Sequence, residues 1–488
     1  MIKKLFKALM RYASARPNSD NARQFISSGT PETPLQLGRP EDRASIRQQA
    51  RYQFQNNPHA AGIARLFALY TCGTGARLRW LGHEKWLRQP VDKRLVDYIE
   101  YKWAEFSTEI RFGSLLRSVM QSLVVDGEAF VAVRSNPHKR AKIDAVLLDS
   151  QRVGNPSGKR STLTLQDGVQ FDVFGNVTGY YVYKTPDNDS CYYDTSRYDF
   201  LGADQVFHLY REDFASQTRG FSWFAPVLPL LQQLLAYTNA TVEAAKAGAR
   251  IFATIETQNG YAVDDYLDIE SGVPYDAYRS FETPNGRILQ LPVGTTIRGF
   301  NPTQPTTTAD AYTANLLSQI GYAMGLPRNK ATGSSHEYNF ASGRLDNQPF
   351  ELLITTLQKD ILERDFCDRL FALFYEMIYP HLLELDETAP TLEDSDWAWD
   401  WPHPPLVDPE ATARTNAILI KSGQKSMREV WEEMHPEGDF DSALTEIQQL
   451  RALFPEIHGA TIDPAETAIE PAETAINEPK APSVENPE

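Results

Sequence analysis

With 488 residues, 42% hydrophobic and 23% charged, the chain is long enough for more than one domain and apolar enough to bury a sizeable core. No run reaches the roughly 18 consecutive apolar residues of a membrane helix. Cys72, Cys191 and Cys367 are far apart and form no Cys-x-x-Cys, which speaks against a disulfide framework or a zinc site and suits a reducing cytoplasm. The net charge of −16 is unevenly placed. Met1–Arg51 carries ten Lys/Arg against four Asp/Glu (+6), His381–Glu488 carries six against twenty-four (−18), and the first 380 residues are therefore left near neutral at +2. A generic DNA-coating protein would show a basic stripe and a high pI, so any contact with nucleic acid is expected to be loose.

In chain order, Met1–Met10 is basic and amphipathic but lacks an apolar h-region and an Ala-x-Ala site, so no signal peptide is expected. Residues 1–40 mix basic sequence with Pro, Ser and Gly and read as a mobile arm. From Asp42 to Tyr70 the apolar positions follow helical spacing, with Pro58 breaking the run. Cys72-Gly-Thr-Gly75 ends that segment as a helix C-cap and turn. Two helices are predicted from Trp103 to Val125, and a strand over Glu128–Arg134. Short strands follow at Ile143–Leu148, Leu163–Leu165, Val169–Phe174, Gly179–Lys184 and Gln205–Tyr210, separated by Gly, Pro, Asn and Asp.

Pro226–Ala249 reads as a long helix, and Phe252–Pro302 as short strands and turns. Asp310–Met324 and Pro349–Tyr379 are helical, with Pro380 ending the second. Residues 382–409 read as an acidic, Trp-rich connection, and Pro409–Leu453 as helix pairs. The terminal stretch repeats Pro-Ala-Glu-Thr-Ala-Ile from Pro464 and from Pro471; acidic and free of aromatics, it is expected to be disordered.

Catalytic signatures are missing. The sequence holds no phosphate-binding loop, no Gly-x-Ser-x-Gly elbow and no His-Glu-x-x-His. Gly73-Thr-Gly75 follows a helix and lacks the third glycine of a dinucleotide fingerprint. Asp126 and Glu128 could form a carboxylate pair, but a turn between helix and strand accounts for them as well. His336-Glu337 has no second ligand at helical spacing. Trp397-Ala-Trp-Asp-Trp401 could stack bases, yet Asp394, Asp396 and Asp400 beside it would repel phosphate and favour packing. No cofactor or metal is expected.

Five blocks, taken in order over roughly residues 40–450, resemble the lambda-like portal family of tailed bacteriophages. They are Asn56-Asn-Pro-His59 with Gly73-Thr-Gly75; Ser122-Leu-Val-Val-Asp-Gly-Glu128; Arg219-Gly-Phe-Ser222 ahead of Glu243-Ala-Ala-Lys246; Gly325-Leu-Pro327 with Tyr338-Asn-Phe-Ala-Ser-Gly-Arg344; and Val407-Asp-Pro409 with Gly423-Gln-Lys-Ser426. The motif positions are Asn57, Pro58, Gly73, Gly75, Asp126, Gly127, Glu128, Arg219, Gly220, Tyr338, Asn339 and Ser342. Ser334-Ser-His-Glu337 departs from the Asp/Ser/Asn-rich run of that family, and the Trp-rich connector and repeated tail have no counterpart in it.

The resemblance implies an α+β portal fold with long helices lining a central channel and mixed β segments. Its parts would be a flexible basic arm (1–40), wing (41–222), stem helix (223–250), clip (251–304), second stem helix (305–326), tunnel loop and helix (327–380), crown (381–460) and acidic tail (461–488). It implies a non-enzymatic ring, commonly of twelve subunits, at one capsid vertex of a virion assembled in the host cytoplasm. The implied partners are the large terminase subunit, major capsid or scaffold protein, head-completion or connector proteins and loosely held double-stranded DNA, with no membrane. Arg328, Lys330, His336 and Arg344 are candidate weak phosphate contacts; for the three cations, intersubunit salt bridges are an equal alternative. A carboxylate-dependent hydrolase at Asp126 and Glu128 and a DNA-binding capsid scaffold are the competing functions.

Overall fold

The computed structural model describes residues 40–83, 93–185, 193–215, 217–250, four short strands between 253 and 299, 309–335, 340–402 and 409–434, with a few isolated positions beyond. The N-terminal arm and the repeated tail lie outside these residues. The fold is mixed helix and sheet, and the chain divides into two compact units, Met1–Pro404 and Pro405–Glu488.

In the first unit, helices α1 (Pro40–Asn56) and α2 (Pro58–Cys72) are separated by one residue. Asn57 leaves helical geometry (φ −110°, ψ 113°), its side chain accepts the His59 N–H, and Pro58 supplies a fixed φ with no donor to satisfy. The Asn57 amide also donates to Gln53 Oε1 and to the Leu231 carbonyl, both at 3.1 Å. One asparagine thus breaks a helix and ties both halves to a third element. Gly73 ends α2 at positive φ, its N–H bonded to the Leu69 carbonyl at 2.8 Å. Strand β1 (Arg77–His83) follows, then α3 (Lys93–Glu109) and α4 (Phe112–Val125). The main core gathers apolar stripes from these helices, including Phe67, Ile99, Trp103, Leu116 and Leu123.

Strand β2 (Glu128–Ser135) is buried over its first five residues and lies between β3 (Ile143–Leu148) and β8 (Val206–Tyr210) in an antiparallel sheet. A second antiparallel sheet runs β4 (Leu165–Gln166), β5 (Val169–Phe171), β6 (Val177–Tyr183), β7 (Tyr198–Gly202). A small separate core of Phe130, Val153, Val169, Tyr180, Val182 and Val206 joins the two. Strand β7 is not among the strands that the sequence pattern predicts: it buries no residue, so no alternation marks it, and only its pairing with β6 (Tyr181 opposite Phe200) defines it.

Helix α5 (Leu228–Arg250) leads to strands β9 (Ala253–Thr257) to β12 (Thr295–Gly299), with β10 (Arg279–Thr283) and β11 (Gly286–Gln290) forming a hairpin between. Helix α6 (Ala309–Met324) returns and is followed by the short α7 (Arg328–Thr332). Next, one helical stretch continues from Phe340 to Leu385: α8 (Phe340–Leu357), a π-helical run over Gln358–Cys367, and α9 (Asp368–Leu385). The expected stop at Pro380 is overturned, and Pro349 also lies inside the helix. Each proline removes one hydrogen bond to the carbonyl four residues earlier. Those carbonyls belong to Leu345 and Glu376, both exposed residues that water can satisfy.

The expected acidic connection is also corrected. Ser395–Asp400 forms β13, antiparallel to β1, with Trp80 opposite Trp397 and Leu78 opposite Trp399. The Trp cluster packs, as its acidic flanks suggested. Trp397 and Trp399 both donate to Asp368 Oδ1 (2.9 and 2.7 Å), and Trp401 donates to Glu363 Oε1 (2.6 Å). The carboxylates face indole N–H groups, so burying the rings leaves these three donors satisfied. In the second unit, α10 (Pro409–Lys421) and α11 (Met427–Met434) flank Gly423 at positive φ. Ser426 and Glu429 cap α11 reciprocally, at 3.1 and 2.8 Å.

Replacing Asp368 with Ala strands two indole donors. Thermal or urea unfolding of this variant is expected to show a loss of about 1–3 kcal/mol for each donor left without a partner; an unchanged midpoint would contradict the role given to Asp368.

Candidate functional site

Two of the sequence motifs, 91 residues apart, meet in one buried cluster. The Glu128 carboxylate is fully buried. Arg219 grips it with both arms of its guanidinium, Nε to Oε2 at 2.7 Å and Nη2 to Oε1 at 2.6 Å. Such a fork is the strongest carboxylate geometry a side chain offers. Arg219 also donates to the carbonyls of Ser150, Val153 and Asp167, and lies 4.9 Å over the Phe130 ring. The Gly220 N–H and His208 Nε2 reach the same carboxylate oxygen at 3.1 and 3.3 Å.

The glycines explain the close approach. Gly127 has φ +90°, and a Cβ there would lie 2.0 Å from the Phe221 carbonyl carbon; one on Gly220 would lie 2.0 Å from the Gly127 oxygen. Asp-Gly-Glu and Arg-Gly therefore bring two backbones into contact so that the charged side chains beside them can pair.

Helix α1 completes the cluster through arginines spaced four apart, which share one helix face. Arg47 reaches Glu128 Oε1 at 3.4 Å, and Arg43 pairs with Asp167. Arg51 forks onto Asp126 with two 2.7 Å bonds and holds Asp149 Oδ1 at 2.7 Å. Four arginines thus face four carboxylates. Burial disfavours the Glu128 charge, but Arg219, His208 and Arg43 outweigh it and hold the carboxyl well below its usual range. Burial likewise pushes His208 down, against the pull of Glu128. Burial pushes Arg43 and Arg47 down as well.

Asp126 and Glu128, the pair of the hydrolase alternative, are both buried and each is engaged by a different arginine, Arg51 and Arg219. The cluster is a structural knot joining α1, the α4–β2 turn, β8 and the segment leading into α5. Sequence reasoning missed Arg43, Arg47, Arg51, Asp149, Asp167 and His208. The four-residue arginine spacing was the available signal; the others come from loops and a strand that only folding brings near.

The Gly325-Leu-Pro327 motif turns the chain sharply. Gly325 sits at φ +79°, and Gly321 lets α7 pack so close to α6 that a Cβ there would meet Ala331 at 2.5 Å. Arg328 is exposed at the start of α7. Lys330 is half-buried, its Nζ 3.9 Å from the Tyr70 ring centre and 5.2 Å from that of Phe350. It packs as a cation on aromatic faces. His336, Tyr338 and Asn339 lie outside the described residues, as do the side chains of Ser342 and Arg344 on α8. Gly75, at φ +122°, allows its loop to touch Gly113. Among the described residues, no group of three or more His, Cys, Asp or Glu is placed to hold a metal, and no helix is long and apolar enough to cross a membrane.

The sequence matches the family model for phage portal protein, lambda family, over residues 29–358. The chain belongs to this family. The probable portal protein of Halomonas phage phiHAP-1 is 22% identical over 328 residues, which is 64% of this chain and 62% of that protein; the chain thus spans less than two thirds of this relative's length. Among solved structures, the neck of a native GTA particle computed with C12 symmetry shares 14% identity at a TM-score of 0.46, covering 80% of this chain and 92% of that one. An HK97 family phage portal protein from Corynebacterium diphtheriae shares 11% identity at a TM-score of 0.29, covering 73% and 95%. The lambda-family match contains Asn57, Asp126, Glu128 and Arg219, the residues that organise the knot and the α1–α2 break.

Truncating Arg219 to Ala leaves Glu128 buried with its main partner gone, and a loss of about 3–5 kcal/mol in unfolding free energy is expected. The His208 shift sets a pH response. Its folded pKa lies below the free value of about 6.5, so unfolding takes up a proton between the two, and stability falls as pH drops through 6.5 toward the folded value. The contribution of Glu128 persists over that window, because its folded pKa is depressed and its unfolded value is near 4.3. His208→Gln should therefore flatten the decline between pH 7 and 5 in unfolding midpoints; an unchanged slope would show that His208 is not its source.

Proposed function

We propose that this chain is the structural subunit of a phage portal: copies close into a ring, twelve in the usual arrangement, at one capsid vertex, and double-stranded DNA passes through the centre during packaging and ejection. Membership of the lambda portal family across residues 29–358 is the observation that carries this reading. The partners proposed with it are the large terminase subunit and head-completion or connector proteins at the clip, and capsid or scaffold protein at the wing. Residues 41–222 would be wing, 223–250 and 305–326 stem, 251–304 clip and 327–380 tunnel loop and helix. Because β13 pairs with β1 inside the first unit, the crown is proposed to begin near 405 rather than 381.

Two physical features support a ring. Helix α5 has no buried residue from Leu235 to Lys246, although isolated helices of such length are marginal in water and draw stability from packing. Neighbouring copies in a cyclic array would supply that packing. The charge distribution fits a conduit: near-neutral walls with widely spaced cations let a polyanion slide, whereas a basic stripe would hold it at many phosphates. Arg328, His336 and Arg344 remain the proposed weak contacts. Lys330, seated on Tyr70 and Phe350, would contribute its charge from a fixed position.

Fluorescence anisotropy with a short duplex tests the passive-conduit reading against the DNA-binding scaffold. Affinity no tighter than the non-specific range of about 10⁻⁴–10⁻⁶ M at physiological salt is expected. Nanomolar binding that collapses steeply with salt would favour the scaffold instead.

A further inference from the structure

The most exposed large apolar side chains of the sheet region cluster at one end of the four-stranded sheet. Leu163 is 88% exposed, and Val173 and Phe174 are each 86% exposed. The Phe171 N–H bonds to the Thr164 carbonyl at 2.8 Å, which brings Leu163 to the same end as the β5–β6 turn. This turn is pre-shaped. Asp172 Oδ1 accepts the N–H groups of Phe174 and Asn176, both at 2.8 Å, and Asp172 Oδ2 accepts the Asn176 amide at 3.0 Å. Gly175 closes the turn at φ +90°. A turn braced in this way presents two apolar side chains to water without needing to order them on binding. It is a convex apolar plug.

The same unit carries a groove of about 1310 Å³ between α3, the β2–β3 hairpin and α9, with apolar side chains at its base and charged ones around them. That exceeds the roughly 300–1,000 Å³ of small-molecule sites. Its floor includes the buried Phe106, Phe374 and Ile378, and its walls the half-buried Val133, Ile143 and Met377. The charged residues lining it are four cations (Lys102, Arg134, Arg140, Lys142) against two carboxylates (Glu105, Glu109), a net of +2. The plug carries the Asp172 carboxylate beside its apolar residues. An exposed apolar turn beside one carboxylate and a groove with an apolar floor and a net positive lining therefore occupy two different patches of one chain.

Two patches that fit each other but not themselves cannot make a two-fold contact. They make a head-to-tail contact, the kind that closes into a ring when the rotation allows. We propose that the Val173–Phe174 turn of one copy seats in the α3/β2–β3/α9 groove of the next. This inference rests on the ring reading and adds a contact to it. Three side chains cover only part of the roughly 800 Å² per partner of a stable interface, so the plug acts as an anchor within a larger contact.

The test uses the full chain with Val173→Cys and Met377→Cys combined. Mild oxidation should link neighbouring copies into a ladder on a non-reducing gel, with no ladder from either single variant. Phe174→Asp should cut the ring fraction at fixed concentration at least tenfold while leaving the thermal midpoint of the unassembled chain, compared at low concentration, unchanged, because the side chain is exposed. Rings that form normally in Phe174→Asp, with no link in the double variant, overturn the plug-in-groove contact and leave the ring reading standing. A wild-type chain that forms no assembly at any concentration, with no link, overturns both.

Discussion

The Glu128–Arg219 fork is the constraint on which the rest of the first unit depends. A carboxylate with no exposure to water is tolerable only if its charge is met, and here it is met by a guanidinium in ideal geometry with further help from Arg47, His208 and a backbone N–H. The cost of burying the pair leaves little freedom in where the surrounding backbones run. Gly127 and Gly220 must touch, the 149–153 and 167 loops must turn carbonyls toward Arg219, and α1 must present Arg43, Arg47 and Arg51 along one face. The segment that leaves this knot at Phe221 enters α5, so the direction of that long helix is set at the knot.

The same physical logic recurs at the other end of the core. Acids serve the Trp-rich strand from two places: Asp368 and Glu363, on the long helix, accept hydrogen bonds from three indoles, and Asp400, within the strand, pairs with Arg79 at 3.4 Å. The long helix widens into a π-helical run over Gln358–Cys367 that carries Glu363 and ends just before Asp368, and its first residue, Gln358, reaches across to the Thr71 carbonyl at 2.9 Å. Stretches of this kind mark places where a helix has adjusted its register to serve a specific contact. Here the contact joins α2 to the helix that carries both acids.

Much of this was legible in the sequence where the signal is local. The Asn57-Pro58 break, the Gly73 cap, the strand after Asp126-Gly127 and the two helices around Gly325-Leu-Pro327 follow from side-chain chemistry acting over a few residues. What escaped reading was long-range. Glu128 and Arg219 were each noticed, but their pairing across 91 positions has no sequence signature, and Asp149, Asp167 and His208 became members only through sheet topology. Strand β7 lacked a buried face. Strand β13 was hidden because its acidic residues resembled a solvated connector while its tryptophans found carboxylate acceptors on a helix distant in sequence. Pro380 misled because the packed face of this helix carries it through the proline, whose lost partner belongs to the exposed Glu376.

The central claim is that this family member assembles laterally, with the exposed length of α5 and the groove between α3, the β2–β3 hairpin and α9 covered by neighbouring copies. Negative-stain images of the purified chain at high concentration test it most directly. The account predicts annular particles of uniform size with an open central hole. A monodisperse population of single 55.1 kDa chains, or rings whose centre is permanently closed, would contradict it.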